Sequence, residues 1–264
     1  MKFPVYLVPF VFLLSCSNSA DQKRYEISVP DKDTIRFKGK INPESATELI
    51  EKIRSANSGG TLIVTSGGGS GASGLRIAKA MQKKKFNIRV VGHCASGCAS
   101  YLFVAANRKF VEPDSVVLFH TSTHGDEDAI SRSDLTSYDS FTQSNLENEI
   151  SLYKAANVSI QILTKADEIL VLQCVDYKQP RSEKSPEKLV IGWAFHFWTV
   201  SREQLDRLGI KDVQGYWPKN LKELQRAVKK SIGRKDYSMA FVNNIDLVIP
   251  LDQKIPRCYP SKDR

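Results

Sequence analysis

The sequence lacks any apolar run long enough to cross a bilayer as a helix. Its apolar leader, residues 3–14, is shorter than the roughly 20 residues that a spanning helix needs. Hydrophobic residues make up 41% of the chain and charged residues 25%, which is typical of a soluble globular protein rather than a disordered or membrane-embedded one. No internal repeat is visible, which argues against a repeat architecture. The 264 residues therefore predict one main domain with a sizeable core.

Acidic residues are too few to balance the basic ones, and the formal net charge is +9. The segment 213–264 alone carries eleven Lys or Arg against five Asp or Glu. It lacks the interleaved aromatic residues and the motif of a nucleic-acid module, so we expect no nucleic-acid partner. Contact with anionic lipid headgroups is a second interpretation. The favoured one is a solvated helix face, since an apolar stripe runs along the same segment through Leu221, Leu224, Val228 and Ile232.

The first sixteen residues have the layout of a secretory signal, with Lys2, then the apolar run, then small residues before a cleavage point. The closing tetrapeptide LLSC, residues 13–16, resembles a bacterial lipobox. The resemblance implies a lipoprotein signal peptide over 1–16, lipidation of Cys16, and a periplasmic protein anchored in the cell envelope, with the outer membrane favoured. A plain signal peptide cut near Ala20 is the alternative. Residues 17–33 then hold a linker and a first strand.

Cysteine is scarce: the chain has five, of which Cys16 ends the apolar leader and the other four lie further along the chain. Once Cys16 is set aside, an even number remains in a compartment where disulfides persist. Three pairings are open, and we favour Cys94 with Cys98, four residues apart across one turn, and Cys174 with Cys258. A zinc site is disfavoured because the spacing is not that of a zinc finger and His93 is the only histidine beside the pair. No metal or other cofactor is expected.

Strand-like and helix-like patterns alternate along the first half of the chain. Strands are predicted at 34–41, 61–65, 88–91 and 115–120, and helices at 44–56, 75–81 and 94–107. Such alternation is typical of the α/β class, with parallel strands joined by crossover helices. Further on, we expect an exposed excursion over 124–144, a helix over 147–166, an insertion at about 171–195 and a final strand over 241–250.

The run Ser66-Gly67-Gly68-Gly69-Ser70 lies between a predicted strand and a predicted helix. Glycine frees backbone N–H groups to point at an anion, although such a run is also simply a turn. No Lys-Ser or Lys-Thr pair follows the glycines, which argues against a nucleotide site.

The segment 92–98 reads GHCASGC and places Ser96 where a strand runs into a helix. A serine there is commonly an N-cap, but its hydroxyl is also exposed beside N–H groups that can stabilise an oxyanion. The segment is not the G-x-S-x-G elbow of α/β-hydrolases, because Cys94 and Cys98 stand where that motif has glycine. His120 ends the next apolar strand and is a candidate general base for this serine, because serine alone is a poor nucleophile.

Taken together, these motifs resemble the proteolytic subunit of the Clp protease. The glycine run with Gly74 after it matches that family's glycine segment, and residues 92–96 match its G-x-A-x-S apart from Cys94. In the family four residues separate P-x-S from the histidine, and here residues 116–119 separate the Pro-Asp-Ser at 113–115 from His120. The collinear match covers residues 34–120, with a weaker return at 199–212. The paired cysteines are unlike the Clp pattern but resemble a group of bacterial envelope proteins of this fold.

The resemblance implies a Clp-protease/crotonase-like fold, a repeated β-β-α superhelix, over residues 34–212, with a basic extension at 213–264. It implies Ser96 as nucleophile, His120 as general base, and backbone N–H groups near Gly68, Gly69 and Gly97 as an oxyanion hole. The family's aspartate has no equivalent here, since residues 193–198 contain no carboxylate. Asp167 is the favoured third catalytic group, and the other options are Glu168, Asp176, His196 or a Ser/His dyad.

The function expected from these residues is that of a serine peptidase or related acyl hydrolase acting on a peptide or protein substrate. A fold that has lost efficient chemistry and serves as a binding or scaffold lipoprotein is the main alternative, and crotonase-like acyl-thioester chemistry is a third. The envelope lacks ATP, so an unfolding ATPase is not an expected partner. Membrane contact is expected through the N-terminal lipid only. The family's rings and trimers leave a homo-oligomer open.

Overall fold

A computed structural model describes residues 25–120, 135–166, 169, 171–175, 189–193, 195–233, 237–246 and 259–260 of the chain. Within these residues, no helix combines the length and the apolar character that a membrane crossing requires. The signal-peptide and lipidation predictions for residues 1–16 lie outside the described part.

The core of the molecule is a mixed, largely parallel sheet of seven strands. The strands are β1 (Tyr25–Asp31), β2 (Thr34–Gly39), β3 (Thr61–Ser66), β4 (Asn87–Ala95), β5 (Lys109–Val111), β6 (Val116–Leu118) and β10 (Val213–Gly215). Their order is β1-β2-β3-β4-β5-β10, and β6 pairs with the last residues of β4. Among the described pairs of this sheet, β1–β2 is antiparallel and the others are parallel. The α/β class is confirmed.

Two amphipathic helices connect the first parallel strands, α1 (Pro43–Ser55) after β2 and α2 (Gly71–Lys83) after β3. Helix α1 begins at a capping box, in which Asn42 Oδ1 accepts from the Ser45 amide and Ser45 Oγ accepts from the Asn42 amide. Leu49 and Ile53 lie one turn apart on its inner face and are fully buried. These helices lie close to the predicted positions because their apolar periodicity is clear.

A π-helix (Cys98–Phe103) follows β4, and all six of its residues are buried. Helix α2 packs against it closely, because a Cβ at Gly74 would lie 2.8 Å from Cδ2 of the Tyr101 ring. The predicted buried helix over 94–107 is therefore correct in character but wrong at its start, since β4 extends to Ala95.

Two predictions for the middle of the chain are wrong in part. Helix α3 (Leu135–Ala156) begins inside the stretch predicted as an exposed excursion. The helix predicted over 147–166 ends at Ala156, where Asn157 takes a left-handed φ of 54°, and the short α4 (Gln161–Thr164) follows it. Polar Ser and Thr residues concealed the first part of α3, because their loop preference competes with helix periodicity.

A second apolar cluster lies on the other face of β4. Strand side chains alternate between faces, and Cys94 belongs to the main core while Ala95 belongs to this cluster. Helix α6 (Leu221–Ile232) buries Leu224 and Val228 there, as the stripe predicted. Strands β9 (Phe197–Val200) and β11 (Met239–Val242) also contribute to this cluster and pair in parallel. Helix α5 (Arg202–Arg207) follows β9 and buries Leu205 in the main core.

The basic segment after residue 212 thus contributes β10 to the main sheet and α6 to the second cluster. The strand predicted over 241–250 is wrong in part, because β11 occupies Met239–Val242 and residues 243–246 are not in a strand. Residues 247–250 of the predicted range lie outside the described part. A separate small antiparallel sheet has the order β12-β8-β7, from β7 (Val171–Val175), β8 (Leu189–Trp193) and β12 (Tyr259–Pro260). Cys174 lies in β7, and its predicted partner Cys258 is outside the described residues.

Candidate active site

Ser96 occupies a sharp junction between β4 and the π-helix. Its φ is +50°, in the left-handed region that costs a non-glycine residue about 1–2 kcal/mol. Two backbone bonds hold it there: the Ser96 amide donates to Leu118 O at 2.9 Å, and Ser96 O accepts from the Ser100 amide at 2.9 Å. The side chain is partly exposed. A strained, exposed serine held by its surroundings is the arrangement that functional sites often retain.

Cys94 and Cys98 form a disulfide that closes a five-residue loop around Ser96. Both cysteines are fully buried. The first predicted pairing is therefore confirmed, and the two sulfurs are not available as zinc ligands in this state. The bond fixes the residues on each side of Ser96.

We expect removal of this disulfide to loosen the Ser96 turn. Closing a loop of five residues contributes about 2 kcal/mol in the chain-entropy account. Cys94→Ala and Cys98→Ala should each lower the free energy of unfolding by at least about this amount, and the double variant should cost little more than either single one, because either change breaks the same bond. Urea unfolding measures this. Strictly additive single effects would contradict it.

The glycine turn lies directly against Ser96. Gly68 has a φ of +89°, and a Cβ there would come within 2.6 Å of Ala95 O and within 2.8 Å of both Gly97 N and Ser96 Cβ. Gly69 has a φ of +139°, and its Cβ would lie 2.1 Å from Ile41 O. Only glycine can occupy these two positions without moving the backbone around Ser96.

The backbone amides of this turn are not equivalent. The Gly68 amide donates to Ser66 Oγ at 3.1 Å, so it is already engaged. Among the described residues, no acceptor receives the Gly69 amide. Gly97 stands just before the first turn of the π-helix, where amides have no partner within the helix. The amides of Gly69 and Gly97 are therefore the ones that suit an anion beside Ser96.

His120 is placed at the same edge of the sheet as Ser96. Ala95 and Leu118 are partners in the parallel β4–β6 pair, and Ser96 and His120 follow them by one and two residues. The intervening Phe119 is fixed by exchanging two backbone hydrogen bonds with Trp198. No hydrogen bond joins the Ser96 and His120 side chains in the described part. Such contacts are often long in a free enzyme and shorten only with substrate bound.

An aromatic ring flanks His120. The Phe197 ring centroid lies 5.6 Å from that of His120, and the next ring along is Tyr237, 5.6 Å from Phe197. Among the third-group candidates, His196 is the one in the described part. Its Nδ1 accepts from the Ser238 amide at 3.1 Å and lies 2.9 Å from Ser238 Oγ.

The other candidates, Asp167, Glu168 and Asp176, lie outside the described residues. The structure thus sets Gly68 and Gly97 against Ser96, places His120 at the same edge of the sheet, and leaves the third group as a prediction. His196 contacts Ser238 through Nδ1, the ring nitrogen nearest the backbone.

Sequence reasoning missed a buried polar cluster beneath the π-helix. Glu149 of α3 is fully buried, and its Oε1 accepts from the Tyr101 hydroxyl at 2.5 Å. The Tyr153 hydroxyl donates to Ser100 O at 2.9 Å. Burial, followed by the Glu149 charge, raises the pKa of Tyr153 well above its ordinary value. A glutamate on the apolar stripe of a predicted helix was the one available signal.

His93 precedes the disulfide and faces the second cluster. Burial lowers its pKa, and a hydrogen bond with the Ser231 backbone opposes this in part. Its Nδ1 is buried without a hydrogen-bond partner among the described residues. The ring is therefore held largely neutral between β4 and α6.

No protein-family model matches this chain, and no curated protein matches it. The geometry of the site itself must therefore support any assignment of function.

Proposed function

We propose that this chain is a serine hydrolase of the cell envelope with the Clp-protease/crotonase-like fold, and that it cleaves peptide bonds through an acyl-enzyme on Ser96. The observation that carries the proposal is the left-handed Ser96, presented at a strand-to-helix junction with the glycine turn against it. A serine in a strained turn with free amides beside it meets the needs of a nucleophile.

In the proposed reaction Ser96 Oγ attacks the substrate carbonyl carbon and His120 takes the hydroxyl proton. The carbonyl oxygen becomes an oxyanion and receives hydrogen bonds from the Gly69 and Gly97 amides. His120 then gives its proton to the leaving amine as the C–N bond breaks. Water, deprotonated by His120, hydrolyses the ester and returns Ser96 to its starting state. Lipidation of Cys16 would hold this chemistry at a membrane of the envelope.

The alternative, a binding or scaffold lipoprotein, is favoured by the sequence where the family's aspartate would stand. No carboxylate occurs in residues 193–198. A triad's acid orients the histidine and stabilises its protonated form, and loss of this group commonly reduces the rate by about four orders of magnitude. A protein with so little activity could retain the fold for recognition alone.

Reaction with a fluorophosphonate tests the hydrolase proposal. This reagent forms a covalent bond only with an activated serine, so the parent protein should label. Ser96→Ala should abolish labelling, and His120→Ala should slow it by about 10²-fold or more, because serine alone is a poor nucleophile. Thermal unfolding should show that both variants remain folded.

Two results would separate the candidates. A folded parent that stays unlabelled would support the binding role. Labelling that persists in Ser96→Ala would place the reactive group elsewhere and contradict the assignment of Ser96.

A further inference from the structure

A basic groove runs between α1 and α2, on the face of the main sheet away from α6. The groove encloses about 500 Å³. Five cations and one carboxylate line it: Arg54, Arg76, Lys79, Lys83, Lys84 and Glu51. Its apolar floor comes from the two helices where they pack together.

Helix periodicity explains why these charges share one groove. The lining positions are 47, 50, 51 and 54 on α1 and 76, 79, 80 and 83 on α2. Both sets follow the spacing i, i+3, i+4, i+7, which places one stripe of each helix toward the other. At a rise of 1.5 Å per residue the lined segments are about 10 Å long. The charges therefore form a continuous surface.

The positive charge of the groove is not neutralised within the described part of the chain. The ion pairs there are Arg89–Glu112, Arg207–Asp246 and Lys230–Asp114, all outside the groove. Lys79 and Lys84 donate to neutral oxygens, those of the Asn148 side chain and the Ala56 carbonyl, and not to carboxylates.

The groove also lies near the point where the N-terminal segment joins the domain. Tyr25 is the first described residue, and its hydroxyl donates to Glu48 Oε2 of α1 at 3.1 Å. Cys16 precedes Tyr25 by nine residues, which span at most about 30 Å. A lipid on Cys16 would therefore keep helix α1 close to the bilayer.

We infer that the α1–α2 groove docks on the anionic phosphate headgroups of the membrane to which the chain is tethered. Each basic residue close to an anionic lipid surface strengthens binding roughly fivefold. An excess of four positive charges in one groove then adds a second attachment to that of the lipid. This departs from the expectation that the lipid alone meets the membrane. It rests on the proposed lipidation of Cys16 and does not depend on hydrolase activity.

Vesicle binding by the full chain carrying Cys16→Ser, which removes the lipid, isolates the groove. Vesicles that contain phosphatidylglycerol should bind more protein than pure phosphatidylcholine vesicles, which report the contribution of the apolar leader. Adding Arg54→Gln, Arg76→Gln and Lys83→Gln should weaken the phosphatidylglycerol-dependent binding about a hundredfold. All three side chains are exposed, so folding should be unaffected.

A matched control removes three exposed charges at the other face: Lys219→Gln, Lys222→Gln and Lys229→Gln. This variant has the same net charge and should keep most of the binding. Equal losses in the two triple variants would reduce the effect to net charge and overturn the inference. The inference would also be overturned if inorganic phosphate released the protein from the vesicles more effectively than chloride at equal ionic strength, because that result indicates a site for small anions. Fluorophosphonate labelling should be unchanged in both variants, so the vesicle test can fail without affecting the hydrolase proposal, and the labelling test can fail without affecting this one.

Discussion

Gly68→Ala should abolish fluorophosphonate labelling and destabilise the protein, although it adds a single methyl group. Position 68 has a φ of +89°, which costs alanine about 1–2 kcal/mol, and the new Cβ would meet Ala95 O at 2.6 Å. Both neighbours at 2.8 Å, Gly97 N and Ser96 Cβ, belong to the proposed site. We expect at least about 2 kcal/mol of lost stability and at least a hundredfold loss of labelling, as for loss of an oxyanion donor.

Gly67→Ala is the matched control for this prediction. Gly67 has no left-handed φ, and an added Cβ would meet nothing within 4 Å. The variant should unfold at the same urea concentration as the parent and label at the same rate. If Gly68→Ala labelled as fast as Gly67→Ala, the turn could not be part of the oxyanion site.

The sequence was most informative where a pattern repeats. Helices α1 and α2 each carry an apolar stripe and were predicted in the right place, although α2 begins at Gly71, one turn before its predicted start at residue 75. The end of strand β4 was not predicted, because it is irregular. Val64 pairs with Val90, yet Ser66 pairs with Cys94, so β4 contains two extra residues around Gly92. In the sequence, Gly92 indicates a turn, and in the structure it has a φ of +76°. The strand nevertheless continues to Ala95, because it pairs with β3 and β6 beyond this glycine.

The same irregularity sets the limit on predicting the site. The resemblance of the motif order to that of the Clp protease subunit pointed to Ser96, His120 and the glycines. The left-handed φ of Ser96 and the engagement of the Gly68 amide by Ser66 follow from how β3, β4 and β6 pair. The ring of Phe197 beside His120 arises from β9, which meets β6 through the Phe119–Trp198 bridge across a long stretch of chain. Local sequence carries no signal for such a contact.

Glu149→Leu should destabilise the protein, although leucine is an apolar residue in a buried position. The carboxylate is fully buried and accepts from the Tyr101 hydroxyl at 2.5 Å, one turn beyond Ser96. The substitution leaves that hydroxyl without this acceptor, and a buried polar group that loses its partner costs about 1–3 kcal/mol. Because Tyr101 lies in the π-helix that follows Ser96, labelling should slow as well. Urea unfolding and the labelling rate measure the two effects.

A double-mutant cycle shows whether the hydrogen bond itself is responsible. Replacing both partners with apolar groups is much less costly than replacing one, since no buried polar group then lacks its partner. Glu149→Leu combined with Tyr101→Phe should therefore recover roughly half of the lost stability, and Glu149→Gln, which keeps an acceptor, should cost less than Glu149→Leu. A double variant as unstable as the two single losses added together would show that Glu149 acts through packing, and the Tyr101–Glu149 bond would then have no special part in holding the helix behind Ser96.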